Sequence, residues 1–141
     1  MRSSVLFLAA AAFSAPALAA DLTVTVENVA STSGHVRLAL YQGAENFLVQ
    51  PAQRESVVAA QGKVVFTLRD LPPGRYAATA FHDVNDNKKL ETDQFGRPLE
   101  PTGFSRDAKA NGGPPRFDDA VFEVDGKGAQ ISFRLRPGAQ P

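Results

Sequence analysis

From Asp21 onward the chain alternates. In DLTVTVENV, Leu22, Val24 and Val26 are separated by Thr23, Thr25 and Glu27, the period of two that marks a strand with one buried face. Turn chemistry in STSG, Ser31 to Gly34, interrupts the pattern. HVRLALY resumes it, with Val36, Leu38 and Leu40 on one face and Arg37 and Ala39 on the other. ESVVAA and KVVFTLRD read as two further strands around Gln61 and Gly62, the second turning Val64, Phe66 and Leu68 inward. At Pro72, Pro73 and Gly74 the prolines preset φ, and the glycine is expected to supply a positive φ. A strand over Arg75 to His82 follows, and its Ala77, Ala78 and Ala80 imply close packing against a neighbouring sheet. DAVFEV and AQISFRLR, divided by Asp125 and Gly126, close the pattern with Ile131, Phe133 and Leu135 on one side. Only Ala44 to Val49 offers a helical turn. Seven short strands without a long helix predict an all-β fold: a single antiparallel seven-stranded β-sandwich over residues 20–136, with a flexible tail at 137–141.

The segment from Asp83 to Arg116 breaks this rhythm. Loops of that length are uncommon in compact domains and are usually functional or disordered. Phe95 and Phe104 within it, and Phe117 just beyond, argue for order, because disordered segments are poor in aromatics. The loop is expected to fold over one end of the sandwich and bury these rings. Its opening stretch, HDVNDNKKLETDQFG, carries side-chain oxygens at every second position. A hard cation such as calcium needs six to eight oxygens, and a tight turn with alternating donors can deliver them. Asp83, Asn85 and Asn87 occupy the first, third and fifth ligand positions of such a loop. Lys89 would offer its carbonyl and Glu91 its carboxylate; Asp93 stands near the last position, where Gln94 fails to supply a carboxylate. Leu90 would tuck the loop onto the core. Lys88 sits where a glycine is expected, and its two-lysine run brings positive charge close. The other reading is a metal-free turn in which Asn and Asp bond their own backbone.

Composition narrows the setting. Arg2, the apolar run Val5 to Phe13 and APALAA predict a signal peptide over residues 1–19, and hence a periplasmic or extracellular protein. The run is shorter than the roughly 20 residues of a bilayer span, and no later segment is a span. Without Arg2, 14 basic residues face 15 acidic ones, which is no nucleic-acid footprint. No cysteine is present, which excludes disulfides, thiol chemistry and thiolate zinc. His35 and His82 are the only histidines. His82, Asp83 and Glu100 form the one set from which a hydrolase could be assembled, yet a single imidazole without a partner defines no reaction, and no catalytic set is assigned. Ser105 has no visible base.

FHDVNDNKKLETDQFGRPLEPTGFS, with PPRFDDAVFEV downstream, resembles the signature of domain-of-unknown-function family 2141, a family of exported bacterial proteins. Its His-Asp-x-Asn-x-Asn-Gly-x-Leu-Asp core is matched by His82, Asp83, Asn85, Asn87 and Leu90. Gly96, Pro98, Glu100, Gly103, Phe104, Ser105, Pro114, Pro115, Phe117 and Ala120 match the rest of the signature. Lys88 replaces the usual glycine and Glu91 the usual aspartate. The resemblance implies export and a compact β-domain, and it implies no activity. LPPGRYAATA is similar to the turn and strand of prealbumin-like (transthyretin-like or carboxypeptidase-regulatory-like) domains, sandwiches related in architecture to Ig-like folds. The expectation is an exported binding or accessory module with calcium as its one candidate cofactor and a protein, glycan or envelope component as its partner. The alternatives are a periplasmic hydrolase using His82 and loop carboxylates, and a purely structural envelope domain.

Overall fold

The computed structural model describes residues 18–139 and, upstream, Val5 and Ala9 alone. The expected signal peptide lies almost wholly outside the described residues. Strands β1 (Ala20–Val29), β2 (His35–Gln42), β3 (Gln53–Val58), β4 (Gly62–Leu71), β5 (Gly74–Asp83), β6 (Thr102–Phe104), β7 (Phe122–Val124) and β8 (Ala129–Arg134) alternate with one short helix, α1 (Phe117–Ala120), and 3-10 turns at Ala44–Asn46 and Ser105–Asp107. The strands form two sheets. One is three-stranded in the order β4-β1-β8; the other runs β3-β2-β5-β6, with β7 also pairing β5.

Two expectations are corrected. The described residues form eight strands, not seven: β6 arises inside the loop and pairs Phe104 with Thr79 and Gly103 with Ala80. Three residues are too few to show a period. A Cβ on Gly103 would collide with the Arg134 carbonyl oxygen, so only glycine lets this strand approach β8. The sheets are also not wholly antiparallel. β8 runs parallel to β1, with Val24 beside Ile131 and Val26 beside Phe133. Alternation specifies which face is buried and is blind to strand direction.

The inner faces of both sheets fill one core. Leu22, Val24, Val26, Phe66, Leu68 and Phe133 come from the first sheet, and Val36, Leu38, Leu40, Tyr76, Ala78 and Ala80 from the second. Fully burying an aliphatic or phenyl side chain contributes about 1.5–3 kcal/mol. Ala78 and Ala80 are the small residues that let β5 lie close to the facing sheet. Tyr76 is completely buried, and its hydroxyl donates to the Pro72 carbonyl at 2.5 Å, which staples the β4–β5 turn to the strand it starts. Burial raises this phenol above its ordinary pKa. The left-handed residue at this connection is Asp70, at φ 59°, rather than Gly74. Asx side chains tolerate that region because they bond locally.

Candidate functional site

The long loop leaves β5 through a turn built on Asp83. In a strand, neighbouring side chains point to opposite faces. His82 therefore enters the core end opposite Val36, and Asp83 faces the other way under the loop. Both are buried. The Asp83 carboxylate accepts from Arg37 Nε at 2.6 Å, from the Lys88 amide at 2.8 Å and from the Asn87 amide at 3.2 Å. Arg37 stands opposite Phe81 on β2, a diagonal neighbour within reach of a long side chain. Burial alone would raise the Asp83 carboxyl; the guanidinium and the two backbone donors outweigh it and hold the group below the ordinary carboxylate range. Arg37 and His35 also hold Asp86, at 3.2 and 2.7 Å.

The predicted ligand residues are brought together in part. Asn85 Nδ2 donates to Glu91 Oε1 at 2.6 Å, and Asn87 Nδ2 donates to the same oxygen. Asn85 Oδ1 accepts from the Asn87 amide at 3.3 Å, and Asn87 Oδ1 from the Lys89 amide at 3.0 Å. Asp83, Asn85, Asn87 and Glu91 thus form one knot, closed on its own donors. Asp93 is not part of it. That carboxylate accepts from the Phe95 and Arg97 amides and from Arg97 Nε, closing a separate turn in which Thr92 bridges Pro98. Lys88 has the left-handed φ of 65° that the position was expected to demand. Among the described residues no three His, Cys, Asp or Glu side chains gather as a metal cluster; two of the four knot members are amides.

Of the residues weighed for a hydrolase, His82 and Asp83 lie near enough to act electrostatically on Glu100, and all three are buried. His82 Nε2 donates to the Ser33 carbonyl at 2.7 Å, and its Nδ1 is buried without a partner. Burial raises the Glu100 carboxyl. The Glu91 amide, which it accepts at 3.2 Å, and His82 pull it down, while Asp83 and Glu91 push it further up. Ser105 is spent structurally: its Oγ accepts from the Ala78 amide at 3.0 Å and donates to the Ala120 carbonyl at 2.5 Å.

Two other expectations fail. Leu90 is 42% exposed and does not tuck onto the core. Of the three rings, Phe117 alone is buried, against Ala77, Ala120 and Phe47, whereas Phe95 is 73% exposed. Leu90, Phe95 and the half-buried Phe104 instead line two grooves. The first, about 630 Å³, lies on the outer face of the five-stranded sheet. Ala39, Ser56, Thr79 and Phe81 form its floor, and Leu48, Leu90 and Pro98 its walls. The second, about 810 Å³, continues past Phe95 to Ala108 and Pro114. Neither is lined by His82, Asp83 or Glu100.

Residues 24–132 match the family described as uncharacterized protein conserved in bacteria, DUF2141. The chain belongs to this family. No curated protein and no solved structure matches the chain. The span shared with the family includes the whole long loop, so the Asp83 knot, the Ser105 tie and most of both grooves are inside it. Arg37 is the residue that sequence reasoning passed over; its only signal was a cation on the outer face of β2, where the pattern gives no sign of what covers it. No helix among the described residues is long and apolar enough to cross a membrane.

Proposed function

We propose that this protein is an exported, non-enzymatic binding module. Its prealbumin-like sandwich would present a ligand groove on the outer face of the five-stranded sheet, walled by the long loop. The observation that carries this reading is the first groove. Its volume of about 630 Å³ falls in the range of small-molecule sites, roughly 300–1,000 Å³, and its floor residues Ala39, Ser56 and Thr79 are small. His82, Asp83 and Glu100, the alternative hydrolase residues, line neither groove. The site would meet a ligand from the envelope or the cell exterior. Nile red, a neutral polarity-sensitive dye, should gain fluorescence on the protein and lose that gain in Ala39→Trp, which fills the floor from an outward-facing position. Equal fluorescence from both proteins, with unchanged circular dichroism, would remove the reading.

Calcium is the cofactor this loop fits. Asp83, Asn85, Asn87 and Glu91 are hard oxygen donors already gathered, and half-turns of the two amides would present oxygen where nitrogen now meets Glu91. The Lys89 carbonyl would add a fifth oxygen and the second oxygen of Glu91 a sixth, and Asp93 would stay in its own turn. The ion would stiffen the groove wall. Arg37 on Asp83 and the two neutral amides set a weak, extracellular-type affinity, about 10⁻⁴–10⁻³ M. Calcium should raise the melting temperature in that range for the wild type and leave Asn87→Ala unmoved. No shift in the wild type at millimolar calcium would discard the ion and leave the groove reading in place.

A further inference from the structure

The two grooves share Leu48, Leu90, Pro98, Thr102, Gly103 and Phe104 and so form one trough. Over the whole chain 15 Lys and Arg balance 15 Asp and Glu. The trough does not share that balance. Its lining holds Arg37, Arg54, Lys88, Arg97, Arg134 and Arg136 against only Glu55 and Asp107. Arg37, Arg97 and Arg134 are paired with carboxylates. Arg54, Lys88 and Arg136 have no ion-pair partner among the described residues; Arg136 donates to the Asp107 carbonyl in the second groove, and Arg54 and Lys88 are exposed beside the apolar walls of the first.

The backbone singles out two of the same residues. Apart from Asn, Asp and Gly, three of the described residues have positive φ: Leu48 at 61°, Lys88 at 65° and Arg106 at 59°. Side chains with a Cβ are disfavoured there, and strain of this kind gathers at functional sites. Leu48 and Lys88 both line the trough. Leu48 is 40% exposed, so core packing does not explain a branched apolar residue in that conformation. A role as a wall does. Lys88 replaces the residue its own backbone prefers and puts an ammonium at the trough's edge.

Resting on the groove reading, we infer that the trough holds a single-chain anionic lipid. The head carboxylate lies in the first groove with Arg54 and Lys88. The aliphatic tail runs along Leu48, Leu90 and Phe104 toward Phe95 and Pro114. An extended peptide added at the β6 side of the trough fits less well, because strand addition needs an open edge. The edge at β6 is closed: Thr102 and Arg136 exchange backbone hydrogen bonds of 3.0 and 2.7 Å. A neutral glycan would leave the cation excess without a role, and the second groove offers it mainly Ala, Gly, Pro, Leu and Phe.

Isothermal titration of the purified chain with laurate, dodecyl maltoside and dodecyltrimethylammonium, all below their micellar concentrations, tests this with one tail and three heads. Laurate is expected to bind about tenfold more tightly than the neutral ligand, a difference of about 1.4 kcal/mol, and the cation more weakly than either. Arg54→Ala combined with Lys88→Gly should erase the preference for laurate and leave dodecyl maltoside unchanged. Ala39→Trp should weaken laurate about tenfold or more. Three equal affinities, or laurate binding untouched by Ala39→Trp, overturn the proposal. If Nile red still responds to Ala39→Trp, the groove reading survives that failure. If neither Nile red nor laurate binds, both fall together.

Discussion

On the inner face of the five-stranded sheet, Val36, Leu38 and Leu40 of β2 meet Tyr76, Ala78 and Ala80 of β5 and are sealed by the facing sheet. One residue along each strand, on the outer face, Arg37, Ala39 and Tyr41 meet Thr79 and Phe81 between the long loop and the β2–β3 connection. The two faces share the same backbone and the same register. They differ in what covers them, and hence in how they respond to change. The inner face is closed by apolar contact from many strands, and each side chain lost leaves a cavity. The outer face is closed at one end by a polar knot around Asp83 and at the other by Phe47, Phe117 and Ala120 over Ala77, and it is left open between them as the trough.

The largest effect should come from the inner side. Phe133 is 1% exposed and packs in the shared core. Phe133→Ala should cost about 3–5 kcal/mol, read as a lower urea midpoint, while the protein that remains folded keeps its affinity for Nile red. A cost near zero would mean that the two sheets do not share a core. Next is the knot. Asp83→Ala leaves Arg37 without its buried partner and two backbone amides without an acceptor, and should cost about 3 kcal/mol. Its signature should be local: amide exchange should quicken first at Lys88 and Asn87, with the β1–β4 ladder still protected. Uniform loss of protection would show that the outer face is not a separate unit.

This contrast also explains what could be read from the sequence. The inner faces were legible because a buried face against a solvated one imposes period two, and Val24, Val36, Phe66 and Phe133 all fell where the alternation put them. The direction of β8 was not, because alternation is the same in either sense. The Asp83 turn was half legible. Its donors are local in sequence, so Asp83, Asn85, Asn87 and Glu91 were named as one group and are one group. Arg37 comes from another strand, 46 positions away, and no local pattern points to it. Leu90 and Phe95 misled for a related reason. An apolar residue in a loop reads as buried, and these two line a groove that only the folded outer face creates.

Lys88→Gly should have a smaller effect, of opposite sign. Glycine adopts the observed φ of 65° without the Cβ penalty, and the Lys88 amide bond to Asp83 survives. The gain should be about 1 kcal/mol, visible as a higher urea midpoint, together with weaker laurate binding. Stabilisation without any change in binding would separate the knot from the trough and leave Lys88 as an unexplained cost.

The smallest effect concerns pH, where two buried carboxyls at the same loop should act in opposite directions. Asp83 has a folded pKa below its unfolded value. Its contribution is present above the unfolded value and is lost as the pH falls through the folded one. Glu100 has a raised folded pKa. The fold then favours the protonated form, and stability declines as the pH rises from the unfolded value through the folded one. On acidification from neutral pH the wild type should therefore first gain a little stability as Glu100 takes its proton, then lose more as Asp83 takes its own. Glu100→Gln can still accept the Glu91 amide and carries no charge to desolvate. It should be slightly more stable than the wild type at neutral pH and show only the loss at low pH. Urea midpoints of the two proteins from pH 7 down to pH 3 test this. A wild-type curve that falls monotonically and runs parallel to that of Glu100→Gln would show that Glu100 does not titrate against the fold, and that the polar end of the outer face is governed by Asp83 alone.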